Sequence, residues 1–68
     1  MNRIREIRDS LKISRQALAN KANISMSYLY DLERNRYSPT IEVAHRIAAA
    51  LGKRLDEVFP PDKAAKVS

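Results

Sequence analysis

Cysteine and tryptophan are both missing from these 68 residues, glycine occurs only at Gly52, and His45 is the only imidazole. Without cysteine, neither a disulfide nor a thiolate metal cluster can hold the chain together, so packed elements must do so. One histidine leaves a zinc site to be built from carboxylates. It also leaves the Ser-His-Asp and Cys-His arrangements of nucleophilic catalysis almost nothing to draw on. The expectation is a protein with no catalytic residues, no metal and no cofactor. No stretch approaches the ~18 apolar residues of a membrane span. The opening Met-Asn-Arg-Ile-Arg-Glu lacks the apolar centre of a signal peptide. A cytoplasmic chain that makes no membrane contact is therefore expected, in agreement with the reducing compartment that the absence of cysteine suits. Strand-like alternation, internal repeats and low-complexity segments are also missing.

The hydrophobic share is 44%, enough at this length for one compact domain and no second core. A separate ligand-binding domain, and with it a small-molecule ligand, is not expected. Charge is the other positive feature. Thirteen Lys and Arg stand against eight Asp and Glu, a net +5. Residues 1–37 hold eight basic and four acidic side chains, so +4 of that excess lies in the first half. Polyanions are the natural partner class, and the first half is where they should be attracted.

The periodicity is helical throughout, and five short helices are expected. Asn2 is a good N-cap for a first helix to Leu11, with Ile4, Ile7 and Leu11 on one stripe. Ser14 caps a second helix, Arg15 to about Lys21, with Ile13 and Leu18 forming a hydrophobic staple. Asn23 suits a left-handed turn residue. Ser25 then caps a third helix to about Arg34, with Ile24 and Leu29 as the second staple. Asn35 can close that helix, and Pro39, in the loop that follows, stops helical continuation from upstream. A fourth helix begins near Thr40 with Ile41, Ala44, Ile47, Ala48 and Leu51 at helical spacing, ending at Gly52. Leu55, Val58 and Phe59 mark a last turn or two before Pro60-Pro61. Residues 1–61 are expected to form the domain and residues 62–68 a flexible tail.

Two short helices around a tight turn, the second free on one side, form the helix-turn-helix arrangement. The run from Ile13 to Asn35, with Leu18-Ala19, Ile24-Ser25, Leu29 and Leu32-Glu33-Arg34, together with Ala50-Leu51-Gly52, resembles the phage-repressor and Cro family over roughly residues 3–59. Departures lie at Asn23 and Asn35, where that family often has Gly, and at Arg15, where Gln is frequent and here is displaced to Gln16. The resemblance implies an all-α, lambda-repressor-like domain and a nucleoid-associated transcriptional regulator, a repressor by analogy. Its partners would be double-stranded DNA and a second copy of itself.

With Leu29 and Leu32 inward, the outer arc of the third helix holds Met26, Ser27, Tyr30, Asp31 and Arg34, and by resemblance this arc meets base edges. Ordinary solvation of that face is the bland alternative. Asp31 repels phosphate unless it reads a base or pairs with Arg34 or another cation. Backbone contacts are expected from Ser14, Arg15, Gln16, Ser25, Asn35, Arg36 and Tyr37, at helix N-termini and in the loop after the third helix. Tyr28 either packs or reaches phosphate. His45 is expected to be half exposed, as a surface or dimer-contact residue. Leu55, Val58 and Phe59 are the expected dimer contact. Arg8 stands where the family's guanidinium braces the third helix, so a structural ion pair with Glu33 is implied. A protein-interaction module on the same scaffold, antitoxin-like or anti-regulator, is the competing function.

Overall fold

The computed structural model describes residues 2–61, and the expected tail at 62–68 lies outside them. The described residues form five helices and no strand: α1 (Ile4–Ser10), α2 (Arg15–Ala22), α3 (Met26–Glu33), α4 (Ile41–Leu51) and α5 (Leu55–Val58). None is long and apolar enough to cross a membrane.

Local capping chemistry sets most boundaries. The side chains of Ser14, Ser25 and Thr40 accept hydrogen bonds from the amides of Ala17, Tyr28 and Val43, each satisfying an otherwise orphaned donor in the first turn. At α1 the cap position falls on Arg3, which makes no side-chain cap bond, and the expected cap residue Asn2, one position earlier, accepts from the Ile4 amide at 3.1 Å. The helix itself starts at Ile4, two residues after Asn2, and stops at Ser10, one residue before the expected Leu11.

At their C-termini, α1 to α4 all end in one way. Lys12, Asn23, Asn35 and Gly52 take left-handed φ angles of 59°, 59°, 61° and 68°. In each case the following amide reaches back to close the helix: Ile13 to Arg8, Ile24 to Ala19, Arg36 to Asp31 and Lys53 to Ala48. This double closure satisfies the last carbonyls. Asn and Gly adopt this conformation readily, but Lys12 does so at a cost of about 1–2 kcal/mol. Glycine at position 12 removes that cost and adds ~0.5–1 kcal/mol of unfolded-chain entropy. Lys12→Gly should therefore stabilise the fold by ~0.7 kcal/mol and raise Tm by about 4 °C. A fall in Tm in calorimetry would show that the conformation carries no strain.

The core is formed by Ile4, Ile7, Leu18, Ala19, Ala22, Leu29, Leu32, Ala44, Ile47, Ala48, Leu51 and Val58. Small residues on α2 and α4 allow those helices to pack closely, with α3 against α2 and α5 against α4. Ile13 and Ile24 pack on the core from the loops, as the staple pattern requires. Arg46 on α4 donates from Nε to the Ala22 carbonyl at 3.0 Å, tying α4 to the C-terminal end of α2. The Arg3 amide bonds the Val58 carbonyl at 2.8 Å and joins the two ends of the domain.

Three apolar residues depart from the expected pattern. Leu11 caps the C-terminus of α1, where its amide still bonds the Ile7 carbonyl, but its side chain is exposed at the helix end. Ile41 is 77% exposed, because it opens α4 and helical side chains lean toward the N-terminus, past the end of the packed face. Val58 is 0% exposed inside the domain, so it cannot form part of a dimer contact as expected.

Candidate nucleic-acid interface

The turn between α2 and α3 is Asn23-Ile24-Ser25, and it presents α3 with one face on the core and one outside. Leu29 and Leu32 are fully buried. Met26, Ser27, Tyr30 and Arg34 are exposed and Asp31 is half-buried, so these five side chains share the outer side of α3. Met26 is 44% and Tyr30 42% exposed, an apolar investment that the domain's own packing does not use.

A buried charge cluster holds the C-terminal end of this helix. Arg8 on α1 donates from Nε to Glu33 Oε2 at 3.0 Å and from Nη2 to Oε1 at 3.4 Å, and its Nη1 bonds the Ile13 carbonyl at 3.1 Å. The two side chains are only 9% and 3% exposed. Arg15 adds a bond from Nε to Glu33 Oε1 at 3.2 Å. Two guanidinium groups thus surround the Glu33 carboxylate, Asp9 lies a further 3.7 Å from Arg8 Nη1, and Arg15 is partly open to water, so the buried charges are paired. A second clamp comes from Asn2, whose Nδ2 donates to the Leu32 carbonyl at 2.8 Å and to Asn35 Oδ1 at 3.1 Å. Among the described residues, every buried side-chain nitrogen or oxygen has a partner.

The cluster continues to the surface. The Arg15 guanidinium carbon lies 4.9 Å and that of Arg34 5.2 Å from the centroid of the Tyr30 ring. Arg34 Nη1 also donates to the Tyr30 hydroxyl at 3.3 Å. Guanidinium groups over an aromatic face are attracted to its quadrupole, so Tyr30 and both arginines hold one another in place. Asp31 does not pair with Arg34. Its nearest cation is Arg36, 4.0 Å away from the loop after α3.

The residues expected to touch a polyanion backbone fall into two groups. Arg36 and Tyr37 are exposed, while Arg15 is partly committed to Glu33. The Ser14 and Ser25 hydroxyls act as caps. Gln16 bonds Asn20 on its own helix, and Asn35 receives Asn2. Tyr28 is half-buried against the core, with its ring 6.5 Å from that of Tyr37. Of the expected dimer contacts, Leu55 at the start of α5 and Phe59 just past its end remain partly accessible. His45 is exposed, and no group of metal-ligating residues occurs among the described residues.

Three contributors are not evident from sequence patterns. Arg15 as a second partner of Glu33, the Asn2 clamp and the Arg46 brace all join positions 18 or more residues apart. No local periodicity carries that information. Only the excess of arginine over lysine in residues 1–37 hinted that guanidinium geometry was being used.

Comparison with known proteins gives a consistent picture. The helix-turn-helix family pattern matches residues 4–58. An immunity repressor protein of Bacillus phage phi105 is 43% identical over 56 residues, which is 82% of this chain and 39% of the phage protein. An uncharacterized HTH-type transcriptional regulator of Methanothermobacter thermautotrophicus is 38% identical over 61 residues, 88% of each chain. A similar regulator of Archaeoglobus fulgidus is 30% identical over 57 residues, 84% of this chain and 81% of that one. The chain thus spans well under half of the phage repressor and most of the archaeal regulators.

Proposed function

This chain belongs to the helix-turn-helix family of Cro and phage-repressor type, whose members are DNA-binding transcriptional regulators rather than enzymes. From that premise we propose that it is a repressor that binds a two-fold DNA operator as a homodimer, with α3 of each copy in the major groove. The observation that carries this reading is the outer arc of α3. It is exposed, rich in base-reading side chains, and held at its C-terminal end by a buried ion cluster.

In this reading Ser27 bonds a base edge, Asp31 accepts from a cytosine amino group, and Met26, Tyr30 and Arg34 complete the base-facing set. Ser14, Arg15, Gln16, Ser25, Tyr28, Asn35, Arg36 and Tyr37 flank it and grip the sugar-phosphate backbone. Buried charges at the base of α3 supply fixed aim, because a rigid support limits the angles at which the arc meets the groove. One such module buries little DNA surface, so two linked half-sites about one turn apart, ~34 Å, supply the remaining affinity.

Arg36→Ala tests the electrostatic part. Its guanidinium is exposed and only loosely paired. The variant should bind all sequences more weakly and reduce the slope of log K against log salt by roughly one unit. An unchanged slope would place Arg36 off the DNA, and affinity independent of salt would favour a protein partner instead.

The dimer contact is assigned to Leu55 and Phe59, which with Arg54, Asp56 and Pro61 line a shallow groove at the C-terminal end of the described chain. Phe59→Asp should shift the protein toward monomer in sedimentation equilibrium and weaken operator binding. A parent that stays monomeric at high micromolar concentration, with and without DNA, would contradict this assignment.

A further inference from the structure

A notch lies between the start of α2 and the start of α3, lined by Arg15, Met26, Ser27 and Tyr30. Its walls are mainly the Met26 side chain and the Tyr30 ring, and both are partly open to solvent. The wall formed by Arg15 is not free to swing. Its Nε is held by Glu33 at 3.2 Å, and its guanidinium carbon lies 4.9 Å from the Tyr30 centroid. Glu33 is in turn fixed by the buried Arg8. Among the described residues, the Nη1 and Nη2 groups of Arg15 have no hydrogen-bond partner.

A small apolar recess with one hydroxyl and one fixed cation matches the major-groove edge of a single base. Thymine presents the O4 acceptor beside a C5 methyl group, whereas cytosine presents an amino donor and no methyl. The Ser27 hydroxyl can serve either base, so it does not discriminate. The apolar walls do, because of the two pyrimidines only thymine brings a methyl group to lie against them. We infer that this notch is a thymine-reading subsite: the C5 methyl sits between Met26 and Tyr30, Ser27 bonds O4, and Arg15 binds a neighbouring phosphate. The inference rests on the proposed placement of α3 in the major groove.

Burying one methyl group corresponds to about a fourfold change in affinity. The experiment begins with a site selected by the parent protein from random duplexes. Each thymine is then replaced singly by deoxyuridine, which removes the methyl group and leaves base pairing and O4 unchanged. One position per half-site should lose about fourfold in affinity, and 5-methylcytosine there should bind more tightly than cytosine. The Met26→Ala variant should show a clearly smaller difference between the thymine and deoxyuridine forms at that position, since only the Tyr30 wall remains.

Met26 is an exposed residue, so the substitution leaves the core intact. If a site is selected but no thymine responds to deoxyuridine, the subsite assignment is overturned while the wider reading stands. A deoxyuridine effect that persists at full size in Met26→Ala overturns it too. If no sequence is enriched at all, both fail together.

Discussion

Glu33→Ala should lower the free energy of unfolding by roughly 3–5 kcal/mol, the size expected when one partner is removed from a buried ion pair. The side chain is 3% exposed and accepts hydrogen bonds from both Arg8 and Arg15. Once Glu33 is gone, Arg15, nearer the surface, can turn toward water. Arg8 cannot, because its side chain is 9% exposed and its Nη1 is tied to the Ile13 carbonyl. The loss is therefore dominated by a buried guanidinium left with only the exposed Asp9 carboxylate, 3.7 Å from its Nη1. A domain of this length has a total stability of about 3–10 kcal/mol, so the variant should be partly unfolded at room temperature.

Arg8→Ala should cost about as much, and Arg8→Lys should recover only part of it, since an ammonium cannot make the forked contact with both carboxylate oxygens. Arg15→Ala should cost under ~1 kcal/mol, as its pair is partly exposed. Removing both charges with Arg8→Met and Glu33→Leu should be far milder than either single loss, because apolar replacement strands nothing. Urea unfolding of these variants is the check. Additive losses of a few tenths of a kcal/mol would mean that the cluster does not brace α3.

The second large effect concerns discrimination rather than folding. Changing Met26, Ser27, Tyr30 and Asp31 together to alanine should leave the core residues Leu29 and Leu32 untouched. Each good base contact contributes about 1–3 kcal/mol of discrimination. The ratio of specific to non-specific affinity should therefore fall by roughly a thousandfold or more, while salt-dependent binding to random DNA persists. Loss of Tyr30 also frees Arg15 and Arg34 from its ring, so the non-specific affinity itself should change by less than about tenfold. Filter-binding titrations on operator and random duplexes measure both quantities. Equal losses on the two DNAs would place the four residues on the backbone instead.

Much of the architecture was legible because it is written in short-range chemistry. Ser14, Ser25 and Thr40 cap the helices that follow them, and left-handed Asn23, Asn35 and Gly52 close the helices before them, all within a few residues. The outward arc of α3 follows from the spacing of Leu29 and Leu32 alone. Lys12 was illegible because lysine carries no turn preference, yet the chain closes α1 through it as it closes the others. The burial of Val58 was illegible for a different reason. A four-residue helix has barely one turn, so its periodicity cannot say which face is covered, and packing against the rest of the domain decides. The third partner of the Arg8–Glu33 cluster, Arg15, required the angle between α1, α2 and α3. Helix axes are set by core packing and not by any one segment.

Selection of bound sequences from a random duplex pool, run in parallel with the parent and the four-alanine variant, tests the central claim most directly. If α3 reads bases through its outer arc, the parent should enrich a two-fold site whose half-sites are centred about 10 base pairs apart. The variant should enrich no sequence or a different one. Enrichment of the same site by both proteins would show that the specificity lies elsewhere in the molecule.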